Sequence, residues 1–260
     1  MLIDVHCHLD NDQYKDDLDK IIENARKAGV KKLIATGIDH DSNKFSLELA
    51  KKYDIIEAAV GRYPDDAMDQ ESGPHRTTVY DDIEFMRKHK NEFIAIGEIG
   101  LDLFHGKEIK KQIEAFRKLI GLSVELGKVI VIHSRKAERE TLDVLDEFKK
   151  LDPDKVVLHC FSGKKSLVKE AIEKGYNFSI PANIVRAQNF QDLVKACPLK
   201  RLLTETDGPY LSPFKNPDGS FNRNEPENVK ESIKVISKIK KITENECMNQ
   251  IFMNYQRIFS

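Results

Sequence analysis

Eight short apolar runs recur along this chain of 260 residues, and most of them are separated by stretches with helical periodicity. The runs are continuous and rich in Val, Ile and Leu, as in strands that are buried on both faces of a parallel sheet. They read LIDV, KKLIATG, IIEAAVG, FIAIGE, VIVIH, VVLHC, YNFSI and RLLTETD. This alternation predicts a (β/α)8 barrel that forms a single domain over residues 1–260, with a doubly wound open sheet as the alternative.

The segments between the runs carry helix signals. KDDLDKIIENARKAG places its apolar side chains on one stripe and ends at Gly29, a residue type that commonly terminates helices. EIKKQIEAFRKLIGLSVELG has the same pattern over a greater length. Two longer connections, Asp65 to His75 and Ser212 to Pro226, are expected to be loops that shape a substrate pocket.

Composition limits the classes of partner. The net charge is −1, so a general basic field for binding nucleic acid is absent, and an anionic substrate would need local arginines or bound cations. The four cysteines are scattered, without a CxxC pair, as in a reduced protein. Because the sequence shows neither a leader nor an apolar run of membrane length, a cytoplasmic protein without membrane association is expected. No obligate protein partner is inferred from the sequence.

Residues that can bind metal follow the apolar runs at their carboxyl ends, which form the active face of a barrel of this kind. His6 and His8 are two positions apart, so on a strand they point to the same side. The remaining candidates end the fourth, fifth, sixth and eighth runs: Glu98, His133, His159 and Asp207. The other histidines, His40, His75, His89 and His105, fall in loops or helices and are interpreted as solvated or capping residues.

Four imidazoles and two carboxylates exceed the needs of one tetrahedral ion, and they suit two divalent cations that share a bridging carboxylate. Glu98 is central in strand order and is the candidate bridge. Asp207 is either a ligand or the base that takes a proton from water. Cys7 and Cys160 adjoin ligands, but strand alternation predicts that both point away from them, as small core residues.

Taken together, the motifs resemble the TatD family of metal-dependent deoxyribonucleases. The resemblance covers nearly the whole chain and is carried by IDVHCHLD, IGEIGLD, VIVIHSRKA, VLHCFSG, LLTETDGPYL and RNEP. It implies a barrel with a dinuclear site and hydrolysis of phosphodiester bonds in DNA, commonly with Mg²⁺ and with Zn²⁺ or Mn²⁺ as other possibilities. It also implies the ligand set that the strand ends indicate: His6, His8, Glu98, His133, His159 and Asp207.

The sequence departs from the family pattern once, because Tyr63 stands where the family usually has the histidine of Gly-x-His-Pro. A tyrosine hydroxyl still donates a hydrogen bond, but it is a poor proton shuttle at pH 7. Arg135, two residues beyond His133, is a candidate phosphate contact, with a loop cap or a surface ion pair as the alternative. Arg223 either contacts substrate or pairs with an acidic neighbour.

Two other functions fit the same fold. Related amidohydrolase barrels cleave amides, lactones or phosphoesters, and many use a carbamylated lysine as the bridge, whereas the fourth run here ends in Glu98. A purely structural metal site is the second alternative. Structural sites usually have four ligands and no open position, so six ligands at a barrel mouth disfavour it.

Overall fold

The computed structural model describes residues 1–64, 77–106 and 108–260, and in these residues eight parallel strands pair in chain order. The strands are β1 (Leu2–Cys7), β2 (Val30–Thr36), β3 (Ile56–Val60), β4 (Ala95–Gly100), β5 (Val129–His133), β6 (Val156–His159), β7 (Asn177–Pro181) and β8 (Leu202–Glu205). Each of the eight apolar runs contributes one strand. The predicted (β/α)8 barrel is therefore confirmed.

The barrel closes where β8 and the residues after it meet β1. Cys7 and Gly208 form a parallel bridge, and the His8 amide donates a hydrogen bond to the Gly208 carbonyl at 2.8 Å. The Asp207 amide donates to the His6 carbonyl at 2.9 Å. This closure rules out the open-sheet alternative, and it places the ligand candidates of β1 beside Asp207.

The helices surround the barrel and cover its outer face with their apolar stripes. They are α1 (Leu18–Ala28), α2 (His40–Lys52), α3 (Val79–Lys88), α4 (Ile109–Leu126), α5 (Glu138–Asp146), α6 (Lys165–Glu173), α7 (Gln188–Ala196), α8 (Val229–Lys240) and α9 (Glu244–Phe259). The end predicted for α1 is confirmed, because Gly29 caps this helix with a φ of 94°. No described helix is both long enough and apolar enough to cross a bilayer.

Of the two predicted loops, the connection from Asp65 to His75 lies outside the described residues. The connection from Ser212 to Pro226 is described and runs without a helix until a 3-10 turn begins at Pro226. It follows β8, so it lies at the carboxyl-terminal mouth of the barrel, where the strand ends point.

Close backbone packing fixes the position of β4 at this mouth. A Cβ atom on Gly61, just after β3, would lie 2.4 Å from the backbone nitrogen of Glu98, so only glycine fits there. Glu98 itself is 2% exposed. The tight approach of these two segments therefore holds a buried carboxylate at the centre of the strand ends.

Candidate metal centre

The structure brings the six predicted ligand residues together at the barrel mouth. His6 and His8 point to the same side of β1, as predicted, and their Nε2 atoms are 3.2 Å apart. Asp207 Oδ1 lies 3.7 Å from His6 Nε2 and 3.5 Å from His8 Nε2. The first strand and the segment after the last strand thus supply three donors to one group.

Glu98 divides its two carboxylate oxygens between two pairs of imidazoles. Oε2 lies 3.4 Å from His6 Nε2 and 3.5 Å from His8 Nε2. Oε1 lies 2.6 Å from His133 Nδ1 and 3.5 Å from His159 Nε2. A carboxylate between two sets of nitrogen donors has the arrangement of a bridge between two ions.

The first group of donors has the spacing of a metal site. Donors about 2.1 Å from a tetrahedral ion are separated from one another by roughly 3.4 Å. The two imidazole nitrogens are 3.2 Å apart, and each lies 3.4 to 3.7 Å from the nearest oxygen of Glu98 and of Asp207. His6, His8 and Glu98 therefore have the spacing of a divalent-cation site, and Asp207 lies close to both imidazoles.

The second group, formed by His133, His159 and the other oxygen of Glu98, is more compact. The separation of 2.6 Å between His133 Nδ1 and Glu98 Oε1 is a hydrogen-bonding distance. An ion held by both atoms requires them to separate by about 0.5 to 1 Å. This group thus fits a cation after a small side-chain adjustment.

Three of the four imidazoles have their outer nitrogen held by an oxygen acceptor, which is typical of histidines that bind metal. His8 Nδ1 lies 3.3 Å from the Thr36 carbonyl oxygen. His133 Nε2 lies 3.0 Å from Asp102 Oδ2, and His159 Nδ1 lies 3.0 Å from Glu205 Oε2. These contacts orient the inner nitrogens toward the two oxygens of Glu98 and toward Asp207.

Glu205 is a buried carboxylate that orients His159. Its other oxygen accepts a hydrogen bond from the Cys160 amide at 3.1 Å. Burial by itself would lower the pKa of His159, but the charge and hydrogen bond of Glu205, together with the charges of Glu98 and Asp207, outweigh it and raise this pKa to about 10. Burial likewise would raise the pKa of Glu205. The groups around this carboxyl, His159 foremost, nevertheless lower its pKa to about 2. The centre thus has a negative potential that favours cations.

Asp102 has the corresponding role beside His133. Its Oδ2 accepts a hydrogen bond from the Tyr63 hydroxyl at 2.7 Å, and this hydroxyl lies 3.2 Å from His133 Nε2. Its Oδ1 accepts hydrogen bonds from the amides of Phe104 and His105, at 2.6 and 2.8 Å. One carboxylate thereby links the predicted ligand, the tyrosine and the loop after β4.

Asp4 secures the barrel closure beneath the centre. It is fully buried and accepts hydrogen bonds from the Thr206 amide at 2.9 Å and the Thr206 hydroxyl at 2.6 Å. Burial raises the pKa of this carboxyl to about 8. Because Thr206 precedes Asp207, this contact fixes the backbone from which the predicted ligand projects.

The two arginines proposed for substrate contact lie in different surroundings. Arg135 is exposed at the mouth, where its guanidinium stacks on Phe104 at 3.9 Å from the ring centroid and lies 3.1 Å from His105 Nε2. Arg223 instead forms a two-pronged ion pair with Asp17, at 2.9 and 2.8 Å, and also contacts Glu225. Arg135 therefore presents its charge to solvent, whereas carboxylates neutralise Arg223.

The prediction for Cys160 was wrong, whereas that for Cys7 is confirmed. Cys7 is buried in the core and faces the Gly208 carbonyl. The Cys160 thiol lies within 4.8 Å of ligand atoms of His159 and Asp207, and 2.9 Å from Glu205 Oε1. Strand alternation fails at this point because β6 ends at His159 and Cys160 has a φ of 45°.

Of the histidines outside the ligand set, His40 begins α2, and His89 caps α3 and lies 2.7 Å from Glu92 Oε1. His105 contacts Arg135 at the mouth. His75 is outside the described residues. The three described histidines thus lie apart from the donor groups around Glu98.

Three buried carboxylates around the centre were not identified from the sequence, although the sequence contains a feature that marks each of them. They are Asp4, Asp102 and Glu205. All three are acidic residues within or directly after an apolar run, in LIDV, IGEIGLD and LLTETD. A charged residue in a strand that is buried on both faces requires a partner, and in this chain each partner is at the metal centre or its closure.

Comparison with known proteins finds a family and relatives that match nearly the whole chain. The family described as TatD related DNase matches residues 3–260 of the chain. An uncharacterized metal-dependent hydrolase of Methanocaldococcus jannaschii is 34% identical over 257 residues, which cover 99% of this chain and 96% of the relative. The human deoxyribonuclease TATDN3 is 32% identical over 268 residues, covering 99% of this chain and 94% of the human protein.

Among solved structures, YjjV, a TatD homologue from Escherichia coli, has the same fold. It superposes with a TM-score of 0.86 at 24% sequence identity, and the match covers 99% of this chain and 97% of the other. The barrel and the order of its elements are thus shared with a homologue known from crystallography.

Proposed function

This chain belongs to the TatD family of metal-dependent hydrolases, and on that basis we propose that it cleaves phosphodiester bonds in DNA at a dinuclear centre. The observation that carries the proposal is the division of Glu98, whose oxygens each face a separate pair of imidazoles. A relative named as a deoxyribonuclease supports DNA as the substrate.

In this proposal the donor groups have distinct tasks. His6, His8 and Asp207 would hold one ion, His133 and His159 would hold the other, and Glu98 would contribute to both sites. Magnesium is the expected metal by family resemblance, with zinc or manganese favoured by a centre that contains four imidazoles. When bound, divalent cations acidify water and neutralise charge on phosphate oxygens.

The residues of the chain supply orientation and proton transfer. Asp207 lies on the exposed side of the centre, with 15% of its side chain accessible, and Glu98 has only 2%. An Asp207 oxygen is therefore accessible to a water and to the leaving group, and this carboxylate is the proposed proton acceptor. Asp102 and Glu205 keep the imidazoles oriented as charge develops in the transition state.

Replacing the proposed bridging carboxylate of Glu98 tests the dinuclear proposal. Wild-type protein and Glu98→Gln are reconstituted with Mn²⁺ and analysed for bound metal by elemental analysis and for cleavage of end-labelled DNA. We expect two ions per wild-type chain, at most one in the variant, and a loss of hydrolysis of at least 100-fold. Glu92→Gln, which changes a surface carboxylate after α3, is the matched control.

A second assay separates the proposed reaction from the amidohydrolase alternative. The metal-loaded protein is offered a DNA oligonucleotide, a generic phosphodiester, and a set of amides and lactones. Cleavage of DNA with little turnover of amides and lactones supports the proposal. One ion per wild-type chain, near-normal activity of Glu98→Gln, or turnover confined to amides or lactones would contradict it.

A further inference from the structure

A cavity of about 330 Å³ is lined in part by residues 209–212, which begin two positions after Asp207. Its walls come from the loop after β8, the turn after β7 and Gln13 from the segment after β1. Arg186, Tyr210 and Phe221 provide its large side chains. The volume lies in the range that is usual for small-molecule sites.

Arg186 provides the cavity with a positive charge. Its guanidinium donates a hydrogen bond to the Ser212 carbonyl at 2.5 Å, and none of the described carboxylates forms an ion pair with it. The second arginine in the wall, Arg223, is neutralised by Asp17 and Glu225. Arg186 is therefore the group in this cavity that is suited to a phosphate.

Aromatic surfaces flank this charge. The guanidinium of Arg186 stacks on Phe221 at 4.1 Å from the ring centroid. Phe221 and Tyr210 are 47% and 52% exposed, so both rings are accessible to a ligand in the cavity. Nucleobases stack on such rings and on guanidinium planes.

The chain holds Phe221 in a small hairpin, where Lys215 and Phe221 form an antiparallel bridge and the Asn216 amide donates to the Ser220 carbonyl at 2.8 Å. The ring is therefore presented by an ordered turn with its own backbone hydrogen bonds. A preformed stacking surface loses less entropy when a ligand binds.

One wall of the cavity, Tyr210, also contacts residues of the metal centre. The Tyr210 amide donates to the Asp207 carbonyl at 2.9 Å, and the Tyr210 ring lies 6.1 Å from the His8 ring, measured between centroids. The Tyr210 hydroxyl accepts a hydrogen bond from Asn11, which follows His8 by three residues. Tyr210 thus lines the cavity on one side and faces the first donor group on another.

We propose that this cavity is a nucleotide subsite, in which Arg186 binds a phosphate and the rings of Phe221 and Tyr210 stack with the attached base. The subsite deepens the proposed function, on which it rests for its place in DNA cleavage. The subsite binds the nucleotide that neighbours the phosphodiester bond at the metal centre. DNA binding therefore depends on whether that nucleotide carries a base.

Binding of separate parts of a nucleotide tests the subsite without using cleavage. The metal-loaded protein is titrated with deoxyadenosine 5′-monophosphate, with deoxyadenosine and with inorganic phosphate by isothermal titration calorimetry. We expect the monophosphate to bind at least 10-fold more tightly than either part. Arg186→Ala should reduce its affinity about 10-fold, toward that of the nucleoside, and Phe221→Ala should reduce it about 10-fold, toward that of phosphate.

The matched control is Phe214→Ala, since Phe214 is 44% exposed in the same loop but does not line the cavity. Arg186→Lys keeps the charge and loses the planar stack, so we expect an intermediate affinity. Thermal unfolding of each variant confirms that it is folded. Equal affinities for monophosphate and phosphate, or unchanged monophosphate binding in both alanine variants, would overturn the subsite.

Cleavage of oligonucleotides that lack one base then places the subsite relative to the cut. We expect KM to rise about 10-fold when one particular base is missing, and Phe221→Ala should abolish this dependence. If KM is unchanged whichever base is removed, the result contradicts the subsite. If the wild-type protein cleaves no DNA, the proposed function fails, while the titrations still decide the subsite independently.

Discussion

The Tyr63 hydroxyl donates a hydrogen bond to Asp102 Oδ2 at 2.7 Å. The same oxygen of Asp102 lies 3.0 Å from His133 Nε2, so the tyrosine helps to fix the carboxylate that orients a proposed metal ligand. The tyrosine at the position where the family resemblance leads us to expect a histidine therefore has a hydrogen-bonding partner within the protein. The role that follows for Tyr63 is positioning through Asp102.

Removing this hydroxyl should weaken the second donor group. We expect Tyr63→Phe to lower metal affinity and hydrolysis about 10-fold, because contacts that orient a ligand usually contribute 10- to 100-fold. Tyr63→His should retain activity and add an ionisation near neutral pH. Metal titrations and steady-state rates from pH 5 to 9 measure both effects. Tyr80→Phe, which changes an exposed ring, is the control. If Tyr63→Phe leaves metal affinity and hydrolysis unchanged, Tyr63 has no positioning role.

Glu205 should matter to the centre through His159. In Glu205→Gln a neutral amide replaces the carboxylate that lies 3.0 Å from His159 Nδ1, so the imidazole loses a charged acceptor. We expect metal affinity to fall 10- to 100-fold, with activity restored in part at high metal concentration. Calorimetric metal titration measures the change, and Glu173→Gln on the exposed side of α6 is the control. Unchanged affinity would show that the Cys160 amide is the more important partner of Glu205.

Arg135 should contribute to substrate binding because its charge is exposed next to His133. Losing one charge-assisted contact costs about 1.5–3 kcal/mol, or roughly 10- to 100-fold in kcat/KM for Arg135→Ala. The loss should become smaller at high salt, where such contacts are already screened. Arg117→Ala, which breaks an ion pair between α4 and the end of α5, is the control. Equal salt dependence in both variants would make Arg135 a structural partner of Phe104 and His105.

Metal should stabilise the folded chain, since the donor groups join segments far apart in sequence. At a free metal concentration 100 times Kd, one site contributes about 2.7 kcal/mol to the free energy of unfolding. For a chain of this size that corresponds to an increase of roughly 5–10 °C in Tm. Differential scanning calorimetry with Mn²⁺ and with EDTA measures the shift, and Glu98→Gln should reduce it. A Tm that is independent of metal would exclude tight binding to the native state.

Much of the fold was predictable because each strand is buried on both faces and therefore leaves a continuous apolar run. The same property made the ligands visible, since His133 and His159 end such runs in a barrel whose strand ends converge. Local alternation also placed His6 and His8 correctly. It failed for Cys160, where a positive φ turns the side chain after the strand has ended.

The partners of the ligands were harder to predict because they depend on contacts between distant segments. Asp102 lies 31 residues from His133, and Glu205 lies 46 residues from His159. A lone acidic residue after a strand shows that a partner is needed, but it does not show which one. The stacking of Arg186 on Phe221 joins two irregular segments, so no periodic pattern in the sequence predicts this contact.

The contact between β1 and the segment after β8 determines when, during synthesis of the chain, the first donor group can form. Asp207, whose amide bonds to the His6 carbonyl, leaves the ribosome about 200 residues after His6 and His8. Chains grow at about 5–20 residues per second, so the first donor group stays incomplete for roughly 10–40 s. In the proposed centre, the site formed by His6, His8 and Asp207 would therefore be completed only after all eight strands have been made. The metal bound there would be the one available to the assembled strands.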